Sequence, residues 1–66
     1  MSRYDWSALD KRANFAFTGS YGEIWQSSER PHIEEGEWYL PSCWFRLVHE
    51  GGAPCADWQD SLETRP

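Results

Sequence analysis

Hydrophobic positions in this chain come in short bursts separated by glycine, proline and serine, and the bursts have the length of strands. Gly19, Gly22, the stretch SSERPH at 27–32, Gly36, the pair Pro41-Ser42 and Gly51-Gly52-Ala53-Pro54 punctuate it; residues of these types break regular structure and mark turns. Near the N-terminus, Trp6, Leu9 and Ala13 fall at i, i+3 and i+7, and Ser7 followed three residues later by Asp10 resembles a weak capping box. That spacing predicts a short helix ending at Asn14. Residues 15–18 set Phe15 and Phe17 against Ala16 and Thr18, and residues 21–26 carry Tyr21, Ile24 and Trp25 less regularly. Two strands joined near Gly19-Ser20 are expected.

The segment GEWYLPSCWFRLV, residues 36–48, reads as a hairpin turning at Pro41-Ser42. Its pairs would be Leu40 with Cys43, Tyr39 with Trp44, Trp38 with Phe45 and Glu37 with Arg46. Period-2 alternation would put Leu40, Cys43, Trp38, Phe45 and Leu47 on an apolar core face, leaving Glu37, Arg46, Tyr39 and Trp44 on the other. The fixed φ of proline does not suit the primed turns that two-residue hairpins use, so a longer loop with a shifted register is the alternative. Toward the C-terminus, Cys55, Trp58 and Leu62 have helical spacing while Ala56 and Trp58 suit a strand. Pro54, placed as a first helical residue, favours a helical turn.

These elements predict a single domain, residues 1–66, of the α+β class: a short N-terminal helix packed on a small antiparallel sheet of three or four strands, with a C-terminal helical turn. An all-β, SH3-like meander is the alternative.

Composition adds an excess of large rings. Aromatics make up 17% of the 66 residues and five of them are tryptophan, more than one small core needs, and tryptophan is a frequent interface anchor. Trp6, Trp25 and Trp38 read as core anchors and Trp58 as a lid. Trp44 either meets the N-terminal helix or stays exposed for another molecule. The net charge is -5, and it is unevenly placed: residues 23–66 hold three arginines against nine acids, whereas residues 1–22 sum to +1. An acidic field disfavours direct nucleic-acid binding and favours a protein partner with a basic or mixed surface.

Candidate chemistry is sparse. Cys43, His49, Cys55 and His32 could supply four zinc ligands, but the C-x5-H-x5-C spacing lacks the close cysteine pair of strong zinc motifs. A Cys–His nucleophile has little room for a pocket in so small a domain, and no phosphate-cradling glycine motif is present. Cys43 and Cys55 are expected as free thiols. No membrane span or apolar signal segment is found, so a cytoplasmic protein is expected, monomeric or homodimeric and without a cofactor.

The reading that absorbs most of these features is a non-enzymatic, acidic protein-binding module, with partner-binding residues Tyr39, Trp44 and Arg46 rimmed by Glu34, Glu35 and Glu37. Short, acidic and rich in aromatics, the chain resembles in general character small proteins of bacteriophages and prophages; that resemblance implies an inhibitor that binds and blocks a host enzyme. A nucleic-acid mimic occupying a basic groove and a zinc-stabilised structural module are the alternatives.

Overall fold

The computed structural model describes residues 2–66. Six short strands form: β1 Phe15–Thr18, β2 Ile24–Ser27, β3 His32–Glu34, β4 Glu37–Tyr39, β5 Phe45–His49 and β6 Glu63–Thr64. β5, β2, β1 and β6 make one antiparallel sheet in that order, while β3 and β4 pair only with each other. β1 occupies the residues its alternation predicts, and β2 begins at Ile24 rather than at Tyr21.

The expected α+β class is overturned. Residues 2–66 contain two 3-10 turns of three residues each, Trp6–Ala8 and Trp58–Asp60, and no longer helix. At the N-terminus the cause is local. Asp5 caps the start of the turn by accepting the Ser7 N–H and hydroxyl, but Leu9, at its end, is already extended. Asp10 then accepts the Arg12 N–H, and Ala13 N–H closes a turn on the Asp10 carbonyl. Short polar side chains that capture backbone donors two residues on compete directly with helix propagation, and so short a segment has no length to outweigh its nucleation cost. The C-terminal helical turn is the second 3-10 turn, and the chain leaves it for β6. A simple meander does not describe the sheet either, because β5 and β6 flank the β1–β2 hairpin from outside.

The hairpin over 36–48 does not form. β4 pairs back onto β3, with Glu34 opposite Glu37, Ile33 opposite Trp38 and His32 opposite Tyr39. The two linking residues, Glu35 and Gly36, have φ of 51° and 77°, the left-handed conformation at both positions that a type I′ turn requires. Pro41, with its φ near -65°, cannot supply such a turn, and β5 pairs with β2 instead.

Alternation assigns the two sheet faces. Ala16, Thr18, Ile24 and Gln26 share one, and the N-terminal segment covers it with Tyr4, Trp6 and Leu9 around Ala16 and Ile24. That segment is fastened at its start by Glu63, whose carboxylate accepts the Arg3 N–H at 2.7 Å and the Trp6 indole N–H at 3.2 Å. Below it lies a closed polar cluster. Ser61 Oγ accepts the Thr18 N–H at 2.8 Å and donates to the Trp58 carbonyl at 2.6 Å. The Tyr4 hydroxyl donates to the Ser61 carbonyl at 3.0 Å, so Thr18 Oγ1, 2.7 Å away, donates to Tyr4. Among the described residues no buried side-chain polar atom lacks a partner, which is what makes burying these groups tolerable. The second face carries Phe15, Phe17, Trp25 and Ser27, continued on β5 by Phe45 and Leu47.

Candidate functional site

The second face has no continuous layer over it. What approaches it is the β3–β4 hairpin, held by one residue: the Trp38 indole N–H donates to the Thr18 carbonyl at 2.8 Å, and its ring packs against Phe17 with centroids 5.1 Å apart and planes inclined at 54°. Trp58, carried by the second 3-10 turn, meets Trp38 nearly edge-on at 6.0 Å and 74°. Ser61 sets this position, because its bonds to Thr18 and to the Trp58 carbonyl fix the turn against β1. Across the face, Trp25 and Phe45 are 6.1 Å apart and tilted at 55°.

These rings leave a cleft of about 350 Å3 lined by Phe17, Trp25, Trp38, Phe45 and Trp58, with Glu23 and Glu37 among its remaining walls. Inclined rings form a box rather than a stack, and a box presents ring faces from several directions. Phe17 is buried at its base, the three indoles are half-buried and Phe45 is exposed. Glu23 lies against Gly19, where an added Cβ would collide with the carboxylate, and it accepts the Tyr21 N–H at 3.0 Å. Neither Glu23 nor Glu37 has an ion-pair partner among the described residues. The ion pairs lie elsewhere, between Arg3 and Asp57, Arg12 and Asp10, His32 and Glu34, and Arg46 and Asp10. An aromatic cleft with two acidic residues, unpaired among the described residues, in its walls is suited to a cation.

The residues expected to form one patch are divided between two places. Trp44 is half-buried with the Arg12 guanidinium over its ring at 4.4 Å and that of Arg46 at 5.5 Å. Both arginines turn to Asp10, Arg12 through two hydrogen bonds of 3.0 Å and Arg46 at 3.7 Å. The Arg12 side chain, its backbone N–H and, more weakly, the Arg46 charge hold the Asp10 carboxyl well below the usual carboxylate range. Trp44 therefore meets the N-terminal segment. Tyr39 stands on the hairpin, stacked on His32 at 6.1 Å, and Glu34 faces Glu37 across the turn that contains Glu35. Arg46 pairs with Asp10 and not with Glu37. Of the six residues, only Glu37 lines the cleft.

Sequence reasoning placed Trp38 and Phe45 in a closed core and missed Glu23 as a site residue. The signal was in the alternation: Phe17, Trp25 and Phe45 share one phase on three strands. Nucleophilic chemistry gains nothing from Cys55, because its hydrogen bond to Asp57 at 3.1 Å and partial burial raise its pKa and keep it a thiol. Among the described residues no three His, Cys, Asp or Glu side chains gather to hold a metal ion, and no helix is long and apolar enough to cross a membrane. No protein-family model, curated protein or solved structure matches the chain.

Proposed function

We propose that the protein is a non-catalytic binding module whose partner is a protein with a basic segment, one cationic side chain of which enters the aromatic cleft. The observation that carries this reading is that five aromatic residues line one cleft together with Glu23 and Glu37, which have no ion-pair partner among the described residues. A cation over an aromatic face gains about 0.5–1 kcal/mol where exposed and about 2 kcal/mol where desolvated, and the carboxylates add attraction that also speeds encounter. The rest of the acidic surface steers the same class of partner. Where the basic segment belongs to an enzyme's working surface, occupation of the cleft blocks that enzyme, which is the inhibitor reading of the sequence in its specific form.

The test is a nuclear magnetic resonance titration of the isotopically labelled protein with Nα-acetyl-lysine methylamide and with its Nε-acetylated, uncharged counterpart. The charged compound is expected to shift the indole N–H signals of Trp38 and Trp58 saturably, and the uncharged one to leave them in place. Replacing Glu23→Gln together with Glu37→Gln is expected to weaken binding by about tenfold, equivalent to about 1.4 kcal/mol. Equal shifts from both compounds would remove the cation from the proposal. Loss of partner binding on Glu34→Gln with Glu35→Gln alone, the cleft variant behaving as wild type, would move the function to the acidic hairpin tip and to nucleic-acid mimicry. One side chain cannot supply the roughly 8 kcal/mol of a micromolar complex, so further surface has to engage.

A further inference from the structure

That further surface is β5. It forms the outer edge of the four-stranded sheet, and all five of its residues are exposed. The phase of its ladder follows from its neighbours. Ser28 N–H donates to the Trp44 carbonyl at 3.0 Å, so the Ser28/Trp44 pair is a hydrogen-bonded one in the register that sets Ser27 opposite Phe45, Gln26 opposite Arg46 and Trp25 opposite Leu47. Antiparallel ladders alternate bonded and non-bonded pairs. Arg46 therefore bonds inward to Gln26, while Phe45 and Leu47 direct their N–H and C=O groups outward. The other side of β2 agrees: Gly19 N–H donates to the Glu23 carbonyl, and in the β1–β2 register the same alternation turns the backbone groups of Trp25 and Ser27 toward β1. No hydrogen bond outside the ladders uses a backbone group of Phe45 or Leu47 among the described residues. The two residues are 53% and 39% exposed, and Phe45 is a wall of the cleft.

We propose that the outer edge of β5 accepts an extended segment of the basic partner as a fifth strand, a docking surface continuous with the cleft through Phe45. This inference rests on the cation-binding reading of the cleft and specifies the form of its occupant. A strand laid on β5 keeps the pleat, so its residue opposite Phe45 points to the cleft face and the one opposite Leu47, two positions along, points to the same face. The first meets the rings and the carboxylates of Glu23 and Glu37. The second meets Leu47. The partner segment thus carries a lysine or arginine separated by one residue from an apolar side chain, and the residue between them faces Arg46 and is not basic.

Charge selects this occupant over a second copy. Self-pairing of β5 brings together two chains of net charge -5, a repulsion that a basic strand replaces with attraction. A basic strand also satisfies an edge that would otherwise invite uncontrolled association.

The test uses one synthetic peptide, acetyl-Ser-Thr-Lys-Thr-Leu-Thr-Ser-amide, with the wild-type protein and with Leu47→Pro. Because the Leu47 N–H points outward, proline there removes only an unused donor from an edge strand, where it is tolerated. Retention of the wild-type tryptophan emission by Leu47→Pro checks that the fold is intact. Binding is expected to slow amide exchange at Phe45 and Leu47 by tenfold or more, and Leu47→Pro to weaken peptide binding roughly threefold to tenfold, the worth of a lost hydrogen bond, while leaving Nα-acetyl-lysine methylamide binding unchanged. A variant with the edge intact but its apolar contact removed, Leu47→Thr, is expected to bind more weakly than wild type while still protecting the Phe45 amide. Peptide binding that shifts the Trp38 indole without protecting Phe45 and Leu47 would overturn the edge and leave the cleft standing. Failure of the lysine compound itself to bind would instead remove the cleft reading beneath it. Protection of both amides by dimerisation without peptide, seen by sedimentation, would overturn the basic strand in favour of a second copy.

Discussion

Ser61→Ala is the substitution whose cost the structure defines best. The residue is 1% exposed, and its hydroxyl accepts the N–H of Thr18, itself 6% exposed, at 2.8 Å. Removing the oxygen leaves that donor with no other acceptor and the Trp58 carbonyl without its 2.6 Å donor. An orphaned buried donor costs about 1–3 kcal/mol, and the site is too closed by Tyr4 and Thr18 for water to replace the hydroxyl at no cost. We expect a loss of about 2 kcal/mol, against a total stability of about 3–10 kcal/mol for a domain of this size at roughly 0.05–0.15 kcal/mol per residue. The midpoint of thermal unfolding should fall by about 8–16 °C, taking about 4–8 °C per kcal/mol. Urea unfolding followed by tryptophan emission measures the change, with an unaltered slope as the sign that the same transition is read. Tyr4→Phe removes the donor to the Ser61 carbonyl and the acceptor for Thr18, so the two substitutions act on one network. The double variant should depart from additivity by about 0.5 kcal/mol or more. A Ser61→Ala loss below about 0.5 kcal/mol, or strict additivity with Tyr4→Phe, would refute the view that this cluster clamps the C-terminal segment to β1.

Acid should weaken the fold in a defined window. The Arg3 side chain, with a smaller contribution from Cys55, lowers Asp57 from 3.8 to about 2, and Arg12 lowers Asp10 further. Depressed carboxylates contribute stability that is present above the unfolded pKa and is lost as pH falls, so unfolding by urea should become easier from about pH 4 down to about pH 2, and added salt should reduce this dependence because the pairs are exposed. Burial raises the Tyr4 pKa above 10.0, a stabilisation complete below pH 10 and lost as pH rises through the folded value; Tyr4→Phe should flatten that alkaline limb. Gly51 has φ of 79° and an added Cβ would lie 2.5 Å from the Tyr21 carbonyl oxygen, whereas Gly36 has φ of 77° with open space around it. Gly36→Ala should therefore cost about 1–2 kcal/mol in backbone strain and Gly51→Ala clearly more, compared by thermal unfolding. Trp44→Ala should lower stability, since the ring carries Arg12 and Arg46, yet leave lysine-compound binding to the cleft unchanged in the same titration; loss of that binding would return Trp44 to the site.

What the sequence disclosed, and what it hid, follows the range of the interactions. β1 was legible because Phe15 and Phe17 alternate with Ala16 and Thr18 over a stretch bounded by Asn14 and Gly19, all local information. The fate of Trp44 was not, because its partners Arg12 and Asp10 lie more than thirty residues away and no local pattern announces a cation over a ring. The hairpin was misplaced for a related reason. Pro41-Ser42 looks like the stronger turn, while the real one at Glu35-Gly36 needs φ > 0 at a glutamate, a conformation its side chain does not advertise. The helix stopped after one turn because Leu9 is extended and Asp10 captures the Arg12 N–H, a choice of acceptor that the spacing of apolar residues does not reveal. Of the site, the acidic character and the surplus of rings were visible in composition, but the gathering of Phe17, Trp25, Trp38, Phe45 and Trp58 required the sheet order β5-β2-β1-β6 and a separate hairpin. That order is set by which strands find partners.

The division of the tryptophans between the faces carries the functional argument. Trp6, on the N-terminal segment, is buried, and Trp44 is half-buried with two guanidiniums over its ring, so the first face is covered by residues of the chain itself. On the second face Trp25, Trp38 and Trp58 remain half-buried around an opening. Each leaves apolar area in water that closer packing of the hairpin would remove, at about 25 cal/mol per Å2, and a domain this small has little stability to forgo. The hairpin meets the sheet through Trp38, which reaches the Thr18 carbonyl and rests on Phe17, while Gly36 and Glu37 stand as walls of the opening. A cation that fills the gap gains the ring faces and the two carboxylates at once, and by mass action it stabilises the folded chain to the extent that it binds. An incompletely covered aromatic face beside uncompensated carboxylates and an open strand edge is costly as architecture. In the proposed complex another protein's basic strand extends that edge and sends one cationic side chain into the cleft.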